Sequence, residues 1–555
     1  MNRQRITATG ILVTSLVVAG GFYIWFSCIV SIFLLIAVLI GVFREKKLVI
    51  GKNPFWIAVT VVGVFYLLAC LWAVDRGMAL FGFFKFLPFP LYLIYLEQRD
   101  VEKEQIIQRL PAIGTIITVL TYVMSFFDSF DLVLTEGRLG GTFLYPNTFA
   151  IFLLICLLTA LEQIGKKDWF QILYAGILLF GIYQTGSRAV YIITALALFA
   201  MILFSGIKKV HKLILCAVGA GTIVAAVLLL GGRLAQISLH SSTFLGRLLY
   251  YKDGLRIIWK HPFGLGYHGY YFVEKQYQTG VYNVLNIHND VMQLILDIGI
   301  LPAVFFFAVF IYYIVRAIRQ KKRRNAIVLS ALLMHLLFDY DMQFAAILFI
   351  FVLFVDDRRG VKKERVSGLS LGFLTVVTTL CIGGAVLLGI SDYLYTAERY
   401  EESYQVYNGN TMAEAYTLRD ITDPEELRKR AQDVTEKNQE LYIGYIYLAN
   451  SYLQGGNVPE YMKYTATAIT KAPYEYTNYV DYATVLIYSA QHFIDQGDQE
   501  SAKICIGELD RITEVLADLE KSSDSIAWQI NDKPETELPS EYKRMIHSLK
   551  EQINE

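Results

Sequence analysis

MNRQRITATGILVTSLVVAGGFYIWFSCIVSIFLLIAVLIGVFREKK, residues 1–47, decides the class of the protein. The basic start and first apolar run have the form of a signal peptide. A second apolar run follows almost at once and ends on Arg44, Lys46 and Lys47, so the first is read as an uncleaved membrane span. The rest of the chain agrees. Its 555 residues are 55% hydrophobic with a mean hydropathy of +0.42, too apolar for a soluble globule of this size.

Apolar runs near the roughly 20 residues that cross a bilayer recur down the chain. They predict thirteen spans, at 7–23, 26–43, 54–73, 79–97, 108–127, 147–164, 169–185, 189–206, 212–231, 290–316, 326–338, 343–355 and 368–390. The predicted class is all-α: a polytopic helical membrane protein with a soluble, repeat-like helical domain at its C-terminal end. The 50 basic and 50 acidic residues balance overall. Residues 391–555, however, carry 30 Asp and Glu against 15 Lys and Arg, leaving 20 and 35 to residues 1–390. Two domains follow, an apolar basic one (1–390) and a polar acidic one (391–555).

Lys and Arg concentrate in alternate connections: Arg3 and Arg5, REKK (44–47), 98–109, KK (166–167), KK (208–209), RQKKRR (319–324) and DDRRGVKKER (356–365). By the positive-inside rule these are cytoplasmic, which places the N-terminus inside and residues 391–555 outside. Five of the six cysteines lie in or near spans, and only Cys505 lies in the outer domain, so no disulfide framework is implied.

One outer connection breaks the charge pattern. Residues 232–289 hold Arg233, Arg247, Lys252, Arg256, Lys260 and Lys275 against Asp253 and Glu274. Long loops cross regardless of charge, so this one either meets anionic headgroups or forms an anion site. Two short outer connections add cations in glycine-bearing turns: Arg138 in EGRLGGTFLYPN (136–147) and Arg188 in QTGSRAVY (184–191). With Arg247 in FLGR (244–247) they form a set of guanidinium forks suited to phosphate oxygens, although a single interfacial arginine often only snorkels.

These segments, followed by GRLLYYKDGLRIIWKHPFGLGYH in the loop and by NIHNDVMQLILDIGI (286–300), resemble the O-antigen ligase and polysaccharide polymerase superfamily of bacterial membrane glycosyltransferases. His288-Asn289 is followed by Gly299 at the family's spacing, whereas Leu301-Pro302 replaces the Thr-Gly pair often found there. The resemblance covers roughly residues 110–355. It implies an enzyme that transfers a glycan from a polyprenyl (undecaprenyl) diphosphate to a hydroxyl acceptor at the outer face, as polymerase or ligase in surface polysaccharide biosynthesis.

On that resemblance His288 is the candidate general base, since an ordinary imidazole pKa of about 6.5 suits neutral pH. Arg188 and Arg247 are the diphosphate clamp, with Arg138 and Asn289 as further substrate contacts. Arginines can neutralise a leaving diphosphate without metal, so no metal or other cofactor is expected. Expected partners are the lipid-linked donor, a glycan, wall-polymer or protein acceptor, and the bacterial cell membrane, but no nucleic acid. The alternatives are a protein O-oligosaccharyltransferase and a flippase or transporter of lipid-linked saccharide. A transporter should line a path through the membrane with cations and often shows a repeated half; here the cations gather at the outer face.

Other motifs carry less. GLGYHG (264–269) fits a dinucleotide pattern but lies in an outer loop without a βαβ unit, so it reads as a turn. DYD (339–341) reads as a polar turn or acceptor contact rather than a metal site, and His335 beside it as packing. Lys85 and Asp297 are ionisable residues within spans and hence functional candidates. In the outer domain, residues 440–473 place Tyr445, Leu448, Ala449, Tyr452, Ala468 and Pro473 at tetratricopeptide spacing, with Tyr461 where a small residue is usual. Segments 393–438 and 475–522 are expected to be helical and to flank this pair. Such stacks commonly bind a peptide or another protein.

Overall fold

The structure is a computed structural model that describes residues 3–164, 169–205 and 241–554. The sequence features at 166–167, 208–209, 212–231 and Arg233 lie outside the described residues. The described chain is mostly helical, as a membrane interior requires, because backbone groups there must be satisfied within the segment.

Among the described residues, six helices are long and apolar enough to cross a membrane: Ile24–Glu45, Arg76–Gln98, Lys103–Met124, Pro146–Ile164, Ile300–Arg319 and Gly368–Thr396. Four more are apolar but shorter, at Pro54–Ala69, Phe170–Thr185, Arg188–Phe204 and Ala345–Phe354. The count of thirteen expected spans is not shown by these helices, and the expected span 212–231 lies outside the described residues. The expected span 290–316 shows the physical reason for one difference. It divides into Asp290–Ile298 and Ile300–Arg319 at Gly299, whose φ is +94°. A Cβ at Gly299 would lie 2.8 Å from the Phe263 carbonyl oxygen. Leu265 N–H donates to Leu296 O and Gly266 N–H to Asp297 O, so the loop's backbone runs directly against the break. GLGYHG thus serves as a close-packed turn. Pro302 falls in the first turn of the following helix, where its missing N–H costs nothing.

Two helices form the centre. All ten residues of Ala345–Phe354 are buried, as is nearly all of Pro146–Ile164, and the other apolar helices surround them. Gly368–Thr396 lies at the periphery, with most of its apolar surface uncovered.

The basic connections gather on one face. Strand Lys47–Gly51 pairs antiparallel with Val361–Arg365, Lys47 opposite Arg365. Arg324 bridges Glu104 at 2.7 Å and Glu162 at 2.9 Å, and Lys363 bridges Asp100 at 2.7 Å. The C-terminal helices dock at the opposite end. Asn438 Nδ2 donates to Asp75 Oδ2 at 3.2 Å, and Tyr407 OH to Gly77 O at 3.1 Å.

Within that domain Tyr442–Gln454 packs on Val458–Lys471, and Tyr476–Asp495 on Gln499–Ser522. Tyr461 is buried edge-on against Tyr482, ring centroids 5.7 Å apart. A strap after the last of these helices reaches back to the large loop. Ala527 and Ile530 enter the core around Leu249 and Tyr250 of helix Ser242–Lys260, and Asp524 pairs with Lys252.

Candidate active site

The site assembles where four connections meet on the face that carries the C-terminal domain. The first is a two-residue hairpin. Leu134–Thr135 pairs with Arg138–Leu139 across Glu136 and Gly137, both at positive φ, as a tight hairpin turn demands. Thr135 opposite Arg138 fixes where the guanidinium leaves the backbone. Arg138 Nε donates to Thr185 O at 2.8 Å and Nη2 to Asn147 Oδ1 at 2.7 Å. This clamps the turn that leads into Arg188 onto the start of the central Pro146–Ile164 helix.

Asp339 is the hub. It lies in the turn between helices Arg323–Leu336 and Ala345–Phe354 and is only 1% exposed. Tyr145 OH donates to Oδ1 at 2.7 Å and Asn147 Nδ2 to Oδ2 at 2.7 Å. His288 Nδ1 lies 3.3 Å from Oδ1, and Arg247 Nη2 lies 3.7 Å from Oδ2. Burial alone would raise the Asp339 carboxyl. The His288 ring, with Arg247 and His335, reverses that and holds it below the usual carboxylate range.

His288 is in the left-handed region, φ +49°, immediately before the helix that starts at Asp290. Strain of this kind in a side chain larger than glycine persists only where surroundings enforce it. Here they do so from several sides. Tyr251 OH donates to the His288 carbonyl, and the imidazole stands edge-on to Tyr340, 4.9 Å between centroids. A carboxylate at Nδ1 selects the tautomer with its proton there, so Nε2 is the basic nitrogen. With 21% of the side chain exposed, the ring is accessible from outside.

The arginines differ in what they are free to do. Arg247 Nη1 donates to Phe338 O at 2.5 Å while Nη2 faces Asp339. Burial opposes its charge, but Asp339 overrides this and raises its pKa further. Arg188 begins helix Arg188–Phe204 and is half-buried, with no ion pair or side-chain hydrogen bond among the described residues. The structure thus brings His288, Arg247 and Arg138 onto one hydrogen-bonded network and leaves Arg188 beside it. Asn289 has both ends of its amide engaged: Oδ1 caps the helix through Met292 N–H at 3.0 Å, and Nδ2 donates to Leu337 O at 3.0 Å. It fastens the His288 turn to the Asp339 turn.

A second tier supports the first. Asp341 accepts from Thr148 Oγ1 at 2.6 Å and lies 2.5 Å from His335 Nδ1, both residues fully buried. Asp290 accepts from Met342 N–H at 3.0 Å. Asp297 accepts from Tyr66 OH and from Gln293, and Gln293 in turn accepts from Ile287 N–H. The aspartate pair of DYD therefore divides between a site residue and its anchor. Lys85, the other ionisable candidate, donates to the Gly21 and Phe22 carbonyls at the kink before helix Ile24–Glu45. Among the described residues, no three His, Cys, Asp or Glu side chains gather as a metal cage would need.

Sequence reasoning took Asp339 as part of a polar turn or acceptor contact and did not single out Tyr145 or Asn147 as site residues. The available signal was an acid flanked by apolar runs in a connection that charge alternation puts on the same side as His288.

A family model described as O-antigen ligase matches residues 173–307. The match spans Arg188, Arg247, His288 and Asn289, and it supports a glycosyl-transfer role in surface polysaccharide biosynthesis for this membrane protein. No curated protein matches the chain.

Proposed function

We propose that the protein transfers a glycan from a polyprenyl diphosphate to a hydroxyl acceptor at the outer face of a bacterial cell membrane, as a polymerase or ligase. The observation that carries this reading is the His288–Asp339 pair: an accessible imidazole facing a buried carboxylate that also meets the Arg247 guanidinium, with His288 and Arg247 both on the segment matched by the O-antigen ligase model.

The acceptor oxygen attacks the anomeric carbon of the donor sugar and gives its proton to His288 Nε2. The bond from that carbon to the diphosphate oxygen breaks, and its electron pair leaves with the lipid diphosphate. Asp339 keeps Nδ1 protonated and stabilises the imidazolium that forms, as a carboxylate behind a histidine base does. Arg247 is the diphosphate ligand; it exchanges part of its contact with Asp339 for phosphate oxygens, so charge is neutralised where the leaving group develops it. Arg188 supplies a second fork from the turn held by Arg138. Asn289 acts through the backbone it fastens. Residues 391–555, read as a tetratricopeptide-like domain outside the cytoplasm, are the surface for a protein partner.

The test is transfer by purified enzyme with a lipid-linked oligosaccharide donor, in EDTA. Release of polyprenyl diphosphate together with a lengthened or attached glycan is expected. Dependence on added Mg²⁺ or Mn²⁺ would overturn the cation assignment. A donor that crosses the bilayer unchanged would favour the transporter. Glycan analysis of a deletion strain then separates polymerase, which sets chain length, from ligase, which sets attachment.

A further inference from the structure

At the membrane face opposite His288 the structure holds a feature that the transfer reaction does not use. Helices Arg188–Phe204 and Arg323–Leu336, with the end of Ile300–Arg319, enclose a groove of about 480 Å³. Small residues, Ala197, Ala200, Ala326 and Ala331 among them, keep it open. Its lining is apolar apart from Ser330 until the end far from the site, where it reaches Lys321 and Arg323. These two also line a neighbouring cavity of about 990 Å³.

The charges around that cavity are unevenly satisfied. Lys322 pairs with Asp356, Arg324 with Glu104 and Glu162, and Lys103 with Glu97. Lys321 and Arg323 are exposed, and neither has an ion-pair partner among the described residues. The Lys321 backbone is held in the left-handed region, φ +58°, by the capping bonds that end helix Ile300–Arg319. An apolar groove that ends on two unpaired cations at a membrane face complements a molecule with an acyl chain and an anionic head.

We propose that this groove and its two cations form a binding site for an anionic phospholipid of the leaflet opposite the catalytic face. The glycan donor is a poor fit for the same place. Helix Arg323–Leu336 is 14 residues long, and at 1.5 Å per residue it separates the basic end from the Asp339 turn by about 20 Å. A donor whose diphosphate sits at Arg247 puts its head at the other end of that helix. Bound lipid would wedge the two helices whose far ends carry Arg188 and His335, and so stabilise the scaffold beneath the site. The inference does not rest on the transfer reaction.

The test is native mass spectrometry of the full-length protein released from detergent with phosphatidylglycerol or phosphatidylcholine of identical acyl chains. Phosphatidylglycerol should be retained several-fold more, and Lys321→Gln with Arg323→Gln should erase that preference. Ala326→Leu, which fills the groove, should lower retention of both lipids while leaving the order intact. Equal retention of the two lipids by the unmodified protein would overturn the proposal, as would a preference that survives the double substitution. A polyprenyl monophosphate that displaces phosphatidylglycerol one for one, and is itself weakened by the double substitution, would reassign the groove to the donor's tail.

Discussion

His288 Nδ1 lies 3.3 Å from Asp339 Oδ1, although 51 positions separate the two residues in the chain. The two turns are tied a second time by Asn289 Nδ2 and the Leu337 carbonyl, 3.0 Å apart. An imidazole and the carboxylate it faces are thus carried on separate loops and fixed to each other.

Asp339→Asn should therefore act on rate rather than on donor binding. The amide cannot stabilise the imidazolium, and it can present a donor to Nδ1, favouring the wrong tautomer. Loss of base function commonly costs on the order of 10²–10⁴ in rate. Turnover should fall by that order, as with His288→Ala, while both variants still bind lipid-linked donor. Near-normal turnover by a well-expressed His288→Ala enzyme would leave His288 as a packing residue.

Arginine variants should show the reverse. Lysine at Arg247 or Arg188 keeps the charge but loses the planar fork that grips two phosphate oxygens. Donor titrations should show weaker binding in both. Arg247→Lys should also lower thermal stability, because it disturbs the partner of a buried carboxylate. Unchanged donor affinity in the two variants would remove the clamp.

Glu274 gives a pH prediction for the large loop. It is fully buried in helix Gly269–Tyr277, and burial pushes its carboxyl up to about 8, against Lys275 and Gln278, which pull it down. The folded loop therefore keeps a proton that the unfolded chain releases near a pKa of roughly 4.3. Its stability should be greatest below that value and decline as pH rises through about 8. Glu274→Gln should flatten this decline, so the melting temperatures of variant and parent should diverge with rising pH. Parallel curves would place the ionised carboxylate in the folded loop.

Topology can be read directly. On the alternation of Lys and Arg, residues 391–555 are expected outside the cytoplasm, and these helices dock beside the Asp75 end of the apolar helices. Protease added to intact protoplasts should remove them. Protection until the membrane is opened would reverse the orientation.

The sequence by itself determined the helical membrane class of fold and supplied the expectation of sidedness, because both depend on quantities local to the chain. An apolar run must be helical in lipid wherever it sits, and a connection's charge is its own. The same locality made His288 and Arg188 legible as polar groups at the mouth of an apolar run, and Arg138 and Arg247 as cations in glycine-bearing connections. What the residues do to one another was decided only by tertiary structure. Asp339 reads as one more acid in a short turn until Tyr145, Asn147, Arg247 and His288 converge on it from two other connections. Asn289, expected as a substrate contact, is seen to join two turns only once the Leu337 carbonyl is placed against its amide. The break at Gly299 is silent in hydropathy, since it arises from a loop backbone pressing against a position that admits no Cβ. Hydrogen-bond partners and backbone contacts are pair properties, set by packing between segments far apart in the chain, and no window along the sequence contains both members of the pair.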